Sequence, residues 1–211
     1  RFIEGANLPP EGEHLRWQYF GGAHDHSLFA AEFRRAVNCD RFRKIREALA
    51  HCGPADPVNR QIYLDMRFVM TESVLMKVDK MSMASSLEIR VPLIDHGFVE
   101  FMASLPGDWK LRGLRTKHIF RAALRGILPE RIVERGKQGY SLPVKQLLRG
   151  PLRQYMVELL NSAPVIREHM QLDAVNRLIH EHLTMRHNHN HVLWALMNVA
   201  LWHNRFLGGH G

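Results

Sequence analysis

Apolar positions recur at helical spacing along most of the chain, broken by glycine and proline at intervals of one to three turns. Residues 1–25 carry Pro9, Pro10, Gly21 and Gly22 and no helical period, and read as an irregular lead-in. Residues 26–207 read as a helical region. Residues 27–33 start like a capped helix, with Phe29 and Phe33 one turn apart. A second short helix is predicted over 40–50, ended by Gly53-Pro54. The longest periodic segment is 57–85. Its Ile62, Leu64, Met66, Val69, Met70, Val74, Leu75 and Val78 leave few polar gaps, so this helix is expected to be buried on most sides.

Pro92 forces Val91 out of helical geometry. Asp95 then caps a helix reaching Leu105, where Pro106-Gly107 stops it. Thr116 is read as the cap of another, with Ile119, Phe120 and Leu124 on one face. Leu128-Pro129-Glu130 opens a short helical turn. Gly136, Gly139 and Pro143 make 134–143 a loop. Helices are predicted over 143–160, 172–183 and 191–207. No strand pair or internal repeat is evident. The fold class is therefore mainly α: an all-helical chain, or the helical part of an α/β domain.

Composition narrows the class. The 211 residues are 45% apolar and 24% charged, as in a globular chain. The most apolar stretch, 191–207, is interrupted by Asn198, His203, Asn204 and Arg205, so no membrane span is expected. Cys39 and Cys52 are too few for a disulfide framework and point to a reducing, cytoplasmic setting. The chain opens on Arg1, as a fragment or processed product would. The net charge of +8 permits an anionic partner, yet the basic residues are dispersed apart from a concentration over 110–153. That dispersal argues against a nucleic-acid-binding tail.

Two segments could carry chemistry. In 77–95, Lys77, Asp79, Lys80, Glu88, Arg90 and Asp95 stand among residues that favour burial. Buried charges must be paired or face a ligand, so this segment is either a set of structural ion pairs or a site. In 135–140, Lys137 lies between Gly136 and Gly139 and could reach a phosphate, unless the loop is simply solvated. Lys117 and Arg121, one turn apart, could also serve an anion or form a solvated face. His187, His189 and His191 alternate, and His24 and His26 flank Asp25, with no carboxylate at a metal-motif spacing. A polar loop leading into the last helix explains the first three better than a metal does.

Read together, these segments resemble a known family. Lys77-Val78-Asp79-Lys80-Met81-Ser82-Met83-Ala84 and Ser86-Leu87-Glu88-Ile89-Arg90-Val91-Pro92-Leu93-Ile94-Asp95 are similar to the KVDRMSMA…SLExRVPFLD signature of glutamine-hydrolysing asparagine synthetases. Leu105-Pro106, Lys110, Lys117 with Arg121, Leu128-Pro129, 135–140 and Pro143 follow in the family's order, as does the end from His191 through Trp202 to Phe206. Mild departures are Lys80 for arginine, Tyr140 for phenylalanine and Leu148 for tryptophan. The resemblance implies the helical C-terminal part of an adenine-nucleotide α-hydrolase-like (ATP pyrophosphatase) domain. It implies ATP and Mg2+ as cofactors, whose main binding loops, and the glutaminase domain, are not in this sequence; the chain alone is expected to be inactive.

The parent reaction implied is adenylation of the aspartate side chain, followed by displacement of AMP by glutamine-derived ammonia. Partners are then aspartate, ATP and a glutaminase domain, with no membrane; an oligomer is left open. Residue by residue, the resemblance places Lys137 at the phosphates and Asp79 at the synthetase pocket as catalytic groups. Glu88, Arg90, Lys80 and Lys117 are carried over as substrate-binding positions, the first two with a preference for bracing the pocket as a pair. No metal ligand is assigned. The alternatives are a non-catalytic helical scaffold and a basic nucleic-acid-binding module. The whole expectation requires Asp79 and Lys137 to converge on one cavity.

Overall fold

A computed structural model describes residues 25–37, 40, 42–136, 139 and 142–208, and the side chains of these from Ser27 onward. The described chain is mostly helical. It divides into two compact units: one formed by residues 1–40 with 139–211, the other by 41–138. The lead-in expected over 1–25 falls almost wholly outside the described residues.

The first unit holds α1 (Asp25–Leu28), α2 (Ala31–Ala36), α10 (Val144–Arg149), α11 (Arg153–Ser162), α12 (Pro164–His169), α13 (Leu172–Leu183) and α14 (Asn190–Phe206). Its core follows from two matching stripes. In α13, Ala174, Val175, Leu178, Ile179 and His182 are buried; in α14, Val192, Leu193, Leu196, Met197 and Ala200. Both recur at one-turn spacing, so each helix presents one apolar face to the unit's interior. Leu148 is fully buried in this cluster beside Met156, Leu160 and Ile166.

The 27–33 helix expected from sequence is broken at Phe29-Ala30. Those residues leave helical geometry to pair with the segment after α12. Ala30 N donates to His169 O at 2.9 Å, and Gln171 N to Leu28 O at 2.9 Å. The Gln171 side chain donates to Phe29 O at 3.1 Å. The 143–160 helix is likewise divided. Gly150 turns the chain with φ −117° and ψ −111°, and Pro151 has no N–H to continue a helical ladder.

The second unit runs α3 (Arg43–His51), α4 (Pro57–Leu64), a π-helical stretch (Asp65–Leu75), α5 (Met76–Ala84), a 3-10 turn (Pro92–Ile94), α6 (His96–Ser104), α7 (Gly107–Lys110), α8 (His118–Leu124) and α9 (Glu130–Val133). Between α7 and α8 lies a small hairpin, β1 (Leu111–Arg112) with β2 (Arg115–Thr116), in antiparallel register. The sequence gives little sign of it, because strands this short have no period to read.

Asp95 caps α6 as expected, accepting from Gly97 N at 3.0 Å and Phe98 N at 3.3 Å. Thr116 does not cap α8. It lies in β2, and Lys117, in left-handed geometry at φ 57°, is the residue at the helix start.

The long segment from Pro57 to Ala84 is continuous helix, but it is not buried on most sides. Only Leu64 and Ser82 are buried along it, while Met81 and Met83 are 66% and 61% exposed. Its apolar residues wrap the whole circumference, and Ile62, Val69, Val74 and Met76 among them are exposed. Eleven of its residues, Asp65–Leu75, form a π-helix, a winding rare at this length.

Candidate functional site

The segment 77–95 is built on the end of α5 and the chain that leaves it. A Schellman motif ends α5: Leu87 N donates to Ser82 O at 2.9 Å, and Ser86 N to Met83 O at 3.0 Å. Ser86 takes the left-handed position at φ 55°, where glycine is the usual occupant. The buried Ser82 hydroxyl donates to Asp79 O at 3.0 Å. This reversal lifts 87–91 away from the helix axis.

The charges of this segment are not buried, contrary to the expectation drawn from their apolar neighbours. Lys77, Asp79, Lys80, Glu88, Arg90 and Asp95 are all exposed. Glu88 and Arg90 do pair with each other, side chain to side chain. Both are largely exposed, so solvent screens the pair and it contributes little stability. The neighbours Leu87, Ile89, Val91 and Leu93 are exposed too. The segment therefore offers a mixed apolar and charged face, not an internal ion-pair network.

Lys117 is exposed, its backbone held by the turn from the hairpin into α8. Lys137 lies outside the described residues. Glu134 receives the Arg115 guanidinium on both carboxylate oxygens. Arg125 Nη2 lies 3.5 Å from one oxygen and Arg121 Nη1 3.9 Å from the other. Partial desolvation pushes the Glu134 carboxyl up, but the charge and hydrogen bonds of Arg115 and Arg125 outweigh it and hold the group below the usual carboxylate range. Arg121 also donates to Val133 O at 2.5 Å and Arg135 O at 3.3 Å. It is thus not the solvated residue that its spacing from Lys117 suggests. The hint in the sequence was the placing of Arg121 and Arg125 one turn apart on a helix that precedes the acid-then-glycine loop entry.

A second network, missed from sequence, joins α4 to α7. Asp56 caps α4 through Asn59 N at 3.0 Å and also accepts from Gly107 N at 3.1 Å. Asn59 donates to Leu105 O at 3.0 Å and accepts from the nearly buried Lys110 ammonium. The backbone bond from Asn59 leads the effects that set Asp56 below its usual value; burial opposes it and the Gly107 bond reinforces it. Burial pushes Lys110 down, with Asp56 countering. The network is the brace under the α6–α7 turn. Beside it, Asp108, Trp109, Arg112, His118, Ile119 and Ala122 line an open cleft of about 480 Å³. No residue of 77–95 lines it.

In the first unit, His187 and His189 lie in a polar turn before α14, as expected. His189 Nε2 and Glu181 Oε2 are 2.6 Å apart. The fully buried His182 accepts at Nδ1 from His189 N at 3.2 Å, which leaves its proton on Nε2. Among the described residues no three His, Cys, Asp or Glu side chains group as a metal-binding set.

Residues 5–204 match the family model for asparagine synthase. The chain belongs to the asparagine synthase family. It is 27% identical over 147 residues to asparagine synthetase [glutamine-hydrolyzing] 1 of Bacillus subtilis, covering 70% of this chain and 23% of that protein. It is 32% identical over 153 residues to a putative asparagine synthetase [glutamine-hydrolyzing] of Mycobacterium tuberculosis, covering 72% and 23%. A third relative, amidase chry2 of Gibberella zeae, is 28% identical over 116 residues, 52% of this chain and 17% of that protein. The chain thus spans about a quarter of the length of the first two relatives. No solved structure matches it significantly. Among the described residues no helix is long and apolar enough to cross a membrane.

Proposed function

We propose that this chain is the helical C-terminal part of a synthetase domain, of the ATP pyrophosphatase type, that makes asparagine in the cytoplasm. The supporting observation is the family match over 5–204, which contains both the 77–95 signature and the 135–140 loop in the expected order. In the proposed reaction an oxygen of the aspartate side-chain carboxylate attacks the α-phosphorus of ATP, and pyrophosphate leaves. Ammonia, released from glutamine by a glutaminase domain, then attacks the activated carbonyl carbon, and AMP departs with the bonding pair.

Negative charge grows on the α-phosphate and on the leaving pyrophosphate, and a fixed cation in a water-poor site lowers that barrier. Lys137 is assigned this part. It follows directly on Arg135-Gly136, and the carbonyls of Val133 and Arg135 are tied to Arg121. Asp79, exposed in the first turn of α5, is assigned to orient the amino acid or the incoming ammonia. Glu88 and Arg90, paired with each other, are assigned to brace the synthetase pocket, and the exposed Lys80 and Lys117 to meet the anionic substrates. The scaffold and nucleic-acid readings gain no support. Three arginines of the basic stretch converge on Glu134 and do not spread over a helix face.

The test is made in the full-length protein. Lys137→Ala should lower ATP–pyrophosphate exchange by a factor of about 100 or more while glutaminase activity persists. Asp79→Asn should slow asparagine formation without shifting the thermal midpoint, as expected for an exposed residue. Undiminished exchange in Lys137→Ala would refute the assignment.

A further inference from the structure

We propose that Arg121 is a positioning residue whose guanidinium, steadied by Glu134, fixes the backbone that enters the Gly136 loop. Arg121 projects from α8 and is mostly covered, with 19% of its side chain exposed. Its two terminal nitrogens reach carbonyls two residues apart, Val133 O and Arg135 O, on either side of Glu134. Val133 O belongs to the last residue of α9 and Arg135 O lies just beyond its C-cap, where a helix leaves acceptors without intrahelical donors. A cation there is doubly favoured, by hydrogen bonding and by the helix dipole.

The device has an unusual source. Helix ends are commonly closed by a glycine within the same chain turn, whereas this one is closed by a side chain from the preceding helix, 12 and 14 positions away. The helix it closes cannot set its own direction. α9 is a single turn of four residues, and only Val133 is buried in it. The heading of the chain at Arg135 is therefore imposed by Arg121. Glu134 completes the arrangement: its carboxylate faces Arg121 and is itself held by Arg115, with Arg125 at its edge. Two donors at a fixed spacing require a planar fork, which lysine lacks.

The catalytic consequence rests on the reading given under Proposed function, since Lys137 follows Arg135 by two positions in the sequence. The anchoring itself does not rest on that reading. In phosphoryl and nucleotidyl transfer a displacement of about 1 Å of a reacting group can cost about 100-fold in rate.

The experiment uses the full-length protein with Arg121→Lys, Glu134→Gln and Lys137→Ala. Amide hydrogen exchange is followed by mass spectrometry on peptides covering 133–140, alongside ATP–pyrophosphate exchange kinetics. Arg121→Lys should speed amide exchange in that segment about tenfold, the loss expected for a charge-assisted hydrogen bond. It should lower kcat for pyrophosphate exchange about 100-fold, leave KM for aspartate within about twofold, and leave the thermal midpoint in place. Glu134→Gln, which keeps the shape, should move both readouts the same way and less far.

Unchanged amide exchange over 133–140 in Arg121→Lys would overturn the proposal. So would faster exchange throughout the second unit with a lowered midpoint, since that marks a merely structural arginine. If Lys137→Ala retains full pyrophosphate exchange, the adenylation role of the loop falls, while the local amide result still decides the anchoring. If Lys137→Ala is inactive and Arg121→Lys is fully active, the positioning role falls and the adenylation role stands.

Discussion

Ser86 shows how one residue can work against its own backbone. A left-handed conformation costs an L-residue about 1–2 kcal/mol, and Ser86 takes it to close the end of α5. Nothing in the structure gives its hydroxyl a task that would offset this. Ser86→Gly should therefore stabilise the protein by about 0.5–1 kcal/mol, partly offset by the freer unfolded chain, and a urea melt would detect it. A loss of activity at raised stability would indicate that the turn needs the side chain. Asp95, by contrast, was legible from sequence because an N-cap is a local event: a short acid immediately before a helical pattern has one good use. Lys117 was legible as a residue near a helix start. Its geometry was not, because the hairpin that presents it has too few residues to leave a pattern.

Elements were legible in kind and not in extent. The helical character of nearly every segment followed from apolar spacing. The breaks at Phe29-Ala30 and Gly150-Pro151 did not, because each arises from a tertiary or turn preference that overrides the local period. The burial of 57–85 was misjudged for a related reason: apolar residues all round a helix say that it can be covered, not that its own unit supplies the cover. The charged segment 77–95 was misjudged with it, and the part of the site on that segment is legible only through the order of its motif. The Asp56–Asn59–Lys110 network could not be read at all, since its members are about 50 positions apart. It carries a sharp expectation. A Cβ at Gly107 would collide with the Asp56 carboxylate and come within 2.8 Å of Val58 Cβ. Gly107→Ala should cost about 1–3 kcal/mol and lower the thermal midpoint measurably. A neutral outcome would mean that α7 can shift away from α4 freely.

At the scale of the whole molecule, the first unit should be sensitive to acid. Burial lowers the His182 imidazole from 6.5 to about 4, and the charges of Arg149 and His189 add to this while the Lys145 backbone opposes it. The unfolded chain takes up the proton near the ordinary value and the folded unit does not. Stability attributable to His182 is thus intact above about pH 6.5, falls as pH drops toward about 4, and is level below that. Glu181 extends the decline at lower pH, since the hydrogen bond from His189 holds its carboxyl below the usual 4.5. Thermal midpoints measured from pH 8 to 4 should show this slope, and His182→Gln, which still accepts from His189 N, should flatten its upper part.

The pairing of Phe29 with the turn before α13 has a consequence for how the protein is made. The Gln171 side chain bonds a carbonyl 142 positions earlier. A ribosome adding about 5–20 residues each second needs on the order of ten seconds to bring the later partner out. During that interval α1 and α2 have emerged without their partners from 139–211, while 41–138 is completed and able to condense first. Assembly of the first unit is thus obliged to begin last.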